Sequence, residues 1–188
     1  AGRGHEKLVP VINPNDEPRR ELVLIAGSTD AETALVHREA LRVLRPDIAT
    51  AHVDAYSDDT WPPAVLHSFE RALSLARGQV ADGTRSRKDD PGMGIDVDVR
   101  DDRQFAMLSD LVPHTIGAEG WRGDRLIFSA GDSGTSLWFA VTETQEAELV
   151  SRLEALGVRS TVLAAPPRRR RAAFLPWSRR TDARTRRP

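Results

Sequence analysis

Segments of strand character and segments of helix character alternate along almost the whole chain, and this alternation restricts the possible folds more than any other feature. It begins with "ELVLIAG" (21–27), an unbroken apolar run whose length suits a strand covered on both faces. "STDAETALVHREALRVLRP" then reads as a helix. Thr29 and Glu32 have capping-box spacing, Leu35, Val36, Ala40, Val43 and Leu44 recur at helical intervals, and Pro46 lies just past the end. Strand character returns in "IATAHVDAY" (48–56). A second helix follows, with Thr60 as its cap, prolines in its first turn, a stripe of Val65, Leu66, Phe69, Leu73 and Ala76, and Gly78 as its stop.

The second half continues the pattern. "IDVDV" (95–99) alternates strictly, as a half-exposed edge strand does, and its two aspartates discourage edge-to-edge pairing. "DDRQFAMLSDLVP" is a short helix burying Phe105, Leu108, Leu111 and Val112. "RLIFSA" and "SLWFAV" are strands joined by a turn rich in glycine. "TETQEAELVSRLEALG" is the clearest helix, with Thr142 and Gln145 at capping spacing and Gly157 at its end, and "RSTVLAA" is a last strand. An order β-α-β-α-β-α-β-β-α-β predicts an α/β fold: a largely parallel mixed sheet with helices on both faces and one antiparallel hairpin. The alternative is an α+β arrangement with a ferredoxin-like C-terminal half. The expected organisation is a loose N-terminal arm (1–20, with a short strand at Leu8–Ile12), a single domain (21–166) with a mobile loop (79–94), and a flexible basic tail (167–188).

The absence of cysteine excludes disulfides, thiolate-ligated zinc and thiol catalysis within these 188 residues, and suits a reducing, cytoplasmic setting. The first residue is Ala1, as expected of a processed or excised chain. Arginine outnumbers lysine 25 to 2, a bias typical of GC-rich coding, so arginine content alone is weak evidence for nucleic-acid binding. Its position says more. Residues 168–188 hold nine arginines against one acid, a net charge of +8, which leaves −9 on the rest of the chain.

Four features have the composition of a site. The first is "SAGDSGTSLWF" around Ser133, where Gly-Asp-Ser-Gly resembles the segment around the active serine of trypsin-like proteases, and "TAHVDA" with His52 distantly resembles that family's histidine segment. Such an enzyme needs two β-barrels and well over 200 residues. Four amphipathic helices in a shorter chain contradict that, so Gly-Asp-Ser-Gly reads as a hairpin turn and no catalytic residue is assigned. The second is Gly27, Ser28 and Thr29, where a buried strand runs into a helix N-terminus, a place that suits a nucleotide or another phosphate-bearing ligand. No GxGxxG or GxxxxGK pattern accompanies it, so no cofactor is expected.

The third feature is a set of acidic pairs, His52 with Asp54, Asp58 with Asp59, and Asp96 with Asp98. These read as a solvated strand face rather than a metal site, since they lack metal-ligand spacing. His37 and His67 fall among the charged positions of their helices and read as solvated. The fourth is the tail. Arg168, Arg169, Arg170 and Arg171 precede Phe174 and Trp177, and Arg179 and Arg180 follow. Basic residues around an aromatic core suit a membrane surface, a nucleic acid or an acidic protein patch, including this chain's own body. The expected function is a non-catalytic binding or adaptor protein, peripheral at a membrane if the anionic surface is lipid. Its acidic body would recognise a protein partner while its tail docks on an anionic surface.

Overall fold

Seven strands and four helices account for most of residues 17–56 and 60–167, the part of the chain that the computed structural model describes. In chain order they are β1 (Arg20–Leu24), α1 (Asp30–Leu44), β2 (Thr50–Val53), α2 (Leu66–Asp82), β3 (Ile95–Val97), α3 (Asp102–Leu111), β4 (Gly117–Arg122), β5 (Arg125–Gly131), β6 (Ser136–Val141), α4 (Glu143–Ala155) and β7 (Leu163–Ala164). The strands form one sheet in the order β3-β2-β4-β5-β6-β1-β7. Every neighbouring pair is antiparallel. The largely parallel sheet expected from the alternation is therefore not what forms.

The reason lies in what fills the gaps. β3 and β4, joined by α3, do run in the same direction, but β2 sits between them. β6 and β7, joined by α4, likewise flank β1. β1 and β2, joined by α1, also run the same way, with β4, β5 and β6 inserted between them. Each of these three crossovers thus skips at least one position, which an antiparallel strand takes, while α2 joins β2 to its antiparallel neighbour β3. Nor does the C-terminal half close on itself as a ferredoxin-like unit, because strands from the first half complete both of its crossovers.

One strand had no signal in the sequence. β4, "GAEGWR", has two glycines and little β propensity. It pairs on both sides, with β2 and β5. A Cβ at Gly120 would stand 3.0 Å from the Ile48 side chain, so glycine is what lets Ile48 pack flat against the sheet.

All four helices lie on one face, correcting the expectation of two covered faces. Right-handed crossovers leftward from an upward strand and rightward from a downward one fall on the same side, which is the case for α1, α3 and α4. The helices pack side by side as α4-α1-α3-α2. Strand residues facing them form the core, among them Leu22, Val53, Ile95, Phe128, Leu137 and Phe139, all at most 3 % exposed. They alternate with residues of the opposite face, which no described helix covers.

Local signals fared better. Thr29–Glu32 and Thr142–Gln145 are both complete capping boxes. α2 departs from expectation at both ends. Thr60 does not cap it, because a 3-10 turn at Pro63–Val65 precedes it, and it runs through Gly78 to Asp82, where Gly83 turns left-handed. Within 79–94 the Arg85 guanidinium donates to the carbonyls of Asp90, Met93 and Gly94. Arg19, placed in the loose arm by its sequence, has a side chain only 2 % exposed and pairs with Asp47.

Candidate functional site

The antiparallel register brings four chain connections to one end of the sheet. β1 ends there at Leu24, β2 at Val53, and β5 turns into β6 there, while β4 begins there after α3. Thr115 joins three of these connections. Its buried hydroxyl donates to the Asp54 carbonyl (2.5 Å) and accepts from the Gly117 amide (3.1 Å). Its carbonyl accepts from the Ser133 amide at 3.0 Å.

Gly-Asp-Ser-Gly is the turn its composition predicts. Asp132, Ser133 and Gly134 have φ of 52°, 53° and 89°, three successive residues in the left-handed region. Two of them carry side chains, which costs of order 1–3 kcal/mol each. The Asp132 and Ser133 amides are held by the carbonyls of Ile116 and Thr115, and a Cβ at Gly134 would collide with the Pro113 carbonyl. The turn is thereby clamped in its strained shape, with Ser133 exposed.

This turn faces the β1–α1 connection across a cleft of about 550 Å³. Gly27, Ser28, Asp30 and Thr33 form one wall and Ser133, Gly134 and Thr135 the other, with Pro62, Pro113 and His114 closing the sides. Leu24, Ile25, Ala26 and Ala34 add apolar surface to the lining. Of the three residues expected to bind a ligand, Gly27 and Ser28 line this cleft. Thr29 is committed to its helix, its hydroxyl and amide both contacting Glu32 Oε2 at 2.9 Å. Those two hydrogen bonds hold the Glu32 carboxyl below the usual glutamate range.

Two histidines belong to this end. Burial, with the nearby Arg38 charge, pushes the His114 pKa down against the opposing pull of Asp110. Ser133 and His114 share the cleft, but no hydrogen bond couples them. His37 lies beneath it. The expectation of a solvated His37 is wrong: it is fully buried, its Nδ1–H donates to the Thr33 carbonyl at 2.8 Å, and burial depresses its pKa. His67 is exposed, as its helix position implied. His114 and Thr115 carried no signal of their own, because only the register shows that the end of α3 meets the β5–β6 turn.

The acidic pairs go elsewhere. His52 lies on the uncovered face between Asp96 and Glu119, with Nε2 3.4 Å from the Glu119 carboxylate. Asp54 accepts from the Gly94 amide at 2.6 Å. Asp98 caps the turn after β3 by accepting from the Arg100 amide at 2.9 Å. Among the described residues no three His, Asp or Glu side chains converge as metal ligands, and no helix is long and apolar enough to cross a membrane. Asp58, Asp59 and the tail residues Arg168, Arg169, Arg170, Arg171, Phe174, Trp177, Arg179 and Arg180 lie outside the described residues. Comparison with protein-family models, with curated proteins and with solved structures finds no match to this chain.

Proposed function

We propose that the protein is a non-catalytic binding module whose cleft at the β1–α1 and β5–β6 turns holds a small ligand, and whose basic tail docks on an anionic surface. The observation that carries the first part is the cleft lining: Ser28, Thr33, Ser133, Thr135 and His114 stand among apolar residues, with the Ser28 and Thr135 hydroxyls donating to the Ile25 and Asp132 carbonyls and their oxygens still able to accept. Such a lining suits a molecule with an apolar body and a hydrogen-bonding edge. The strained turn supports the reading, since clamped left-handed residues recur where a fold presents groups to a ligand.

The same geometry turns the ligand away from phosphate. The α1 N-terminus would attract an anion, but the Glu32 carboxylate already occupies its amide and Asp30 adds a second negative charge at the cleft. A neutral or cationic ligand fits better. Thermal-shift screening of small polyols, amines, neutral amides and phosphate esters tests this. At 100 times its dissociation constant a true ligand adds about 2.7 kcal/mol, roughly 5–10 °C for a domain of this size. His114→Ala should abolish that shift. A response confined to phosphate esters would overturn the reading.

The charge division, +8 against −9, favours the second part. Co-sedimentation with anionic vesicles, and retention on single-stranded nucleic acid, should weaken steeply between 50 and 300 mM salt. Deleting 168–188 should abolish both, and a chain that still binds without these residues would end the docking role.

A further inference from the structure

The face of the sheet away from the helices has a definite chemistry. A row crosses it through Asp96, His52, Glu119, Ser129, Trp138, Val23 and Ala164, each opposite the next in the strand register. Trp121 and Leu126 stand opposite each other on the same face, and Glu21 accepts from the Trp138 indole at 3.4 Å. Its acids are therefore Glu21, Asp54, Asp96 and Glu119. No lysine or arginine occupies a strand position on this face among the described residues, since the alternation turns Arg20, Arg122 and Arg125 toward the helices. The face presents two tryptophans and a leucine set among carboxylates.

We propose that this face is the seat of the chain's own C-terminal segment, with Phe174 and Trp177 on the Trp121–Leu126–Trp138 patch and the flanking arginines against Glu21, Glu119 and Asp96. The match is one of charge and of type: +8 with aromatic residues between two arginine clusters meets an acidic face with tryptophans at its centre. Arginine over tryptophan and arginine against carboxylate are both favourable pairings. Geometry permits it. The segment leaves from Pro167, just beyond β7 at the edge of the sheet. Ten further residues reach Trp177, roughly 33 Å when extended. β4 lies four strand spacings from β7, about 19 Å. Tethering adds an effective concentration in the millimolar range, so a weak intrinsic affinity suffices to hold the segment on this face, and the external anionic surface proposed above binds it only by displacing it from there.

The cysteine-free chain allows a direct test. Ser129→Cys on the face is combined with Ser178→Cys beside Trp177, and the control pairs Ser178→Cys with Ser151→Cys, exposed on α4. Under mild oxidation at low salt the first pair should close an intramolecular disulfide at least tenfold faster than the control, at a rate independent of protein concentration. Equal rates in the two pairs would overturn the proposal, as would predominantly intermolecular products, which would make a second copy the occupant. Because Ser129→Cys could perturb the sheet, indole N–H resonances of the full chain give an independent readout. Phe174→Ala should shift the signals of Trp121 and Trp138 but not that of Trp61, whose indole is tied to the Tyr56 carbonyl at 2.7 Å. Unmoved Trp121 and Trp138 signals would refute it.

Discussion

Two helices of this chain start with the same device at opposite ends of the sheet. α1 opens with Thr29 and Glu32 at the cleft, and α4 opens with Thr142 and Gln145 at the far end. Their surroundings differ. Thr142 is buried, and Gln145 reaches past its own helix, donating to the Asp47 carboxylate at 2.8 Å and accepting from Arg19 at 3.2 Å. Arg19 also donates to the Ala140 carbonyl at 2.9 Å. That end is a closed polar knot. At the other end Thr29 is exposed, Glu32 serves only its own cap, and the space in front is open. A local motif sets how a helix begins, while the strand order decides whether its start becomes a buried joint or the wall of a cleft.

Breaking the closed end should have the largest effect. Burial alone would raise the Asp47 carboxyl, but the Arg19 and Gln145 hydrogen bonds and the charges of Arg19 and Arg122 outweigh it and hold its pKa low. Arg19→Ala takes the hydrogen-bonded cation from that partly buried carboxylate and leaves only the Arg122 charge nearby, so urea unfolding should show a loss of about 2–4 kcal/mol. A loss below about 1 kcal/mol would mean that the knot contributes little to stability.

At the open end the matching break is Gly134→Ala, which forces a side chain into a left-handed backbone and against the Pro113 carbonyl. The expected cost is about 2–3 kcal/mol, with the cleft distorted as well. Ser133→Gly should act in the opposite sense, relieving the strain of a non-glycine residue and adding up to about 1 kcal/mol. A destabilised Ser133→Gly variant would show that the Ser133 side chain, not only its backbone, holds the turn.

Acid should also distinguish the two ends. His37 and His114 have folded pKa values below their unfolded ones, so the unfolded chain takes up their protons first. Their contribution is fully present above about pH 6.5 and is lost as pH falls from there, with a slope of up to about 1.4 kcal/mol per unit for the fully buried His37. Asp47 follows the same sign but acts only near and below the ordinary aspartate range. Denaturation midpoints measured from pH 7 to 5 should therefore report the cleft end alone. His37→Gln should flatten most of that slope, and an unchanged slope would locate the sensitivity elsewhere.

These contrasts separate what the sequence displays from what it hides. Caps, turns and the stripes of α1 and α3 were legible because they arise within one or two turns of chain, as at Thr29, Thr142, Gly157 and the Asp132–Gly134 reversal. The stripe expected on α2 was not its buried face, since Leu66 is exposed and Ser68, Ala72 and Ala76 are buried. Sheet direction was not, because a crossover that skips a position looks the same along the chain as one that does not. β4 was hidden by two glycines that exist for tertiary packing. His37 was misread because three helical neighbours, Arg38, Glu39 and Arg42, are charged. Yet Glu39 is itself buried, paired with Arg42 at 2.9 Å and Arg152 at 3.7 Å, so charge did not mark the outer side of α1. For the cleft, Gly27 and Ser28 were found by composition, but their partners across the gap depended on register.

The smallest expected effect gives the sharpest version of the comparison. Glu32→Gln converts the α1 box into the Thr–Gln type that opens α4, preserving both reciprocal hydrogen bonds while removing one negative charge. Stability should fall by no more than about 0.5 kcal/mol, the usual size of a surface charge at a helix N-terminus. If self-neutralisation by Glu32 is what keeps anions out of the cleft, inorganic phosphate at 10–50 mM should leave the parent chain's melting temperature unchanged and raise that of the variant by a degree or two. Amide resonances of Gly27 to Thr33 should move only in the variant. A parent chain that already responds to phosphate at these amides would show that the carboxylate is no barrier, and would return the cleft to the anion-binding role its strand-to-helix turn first implied.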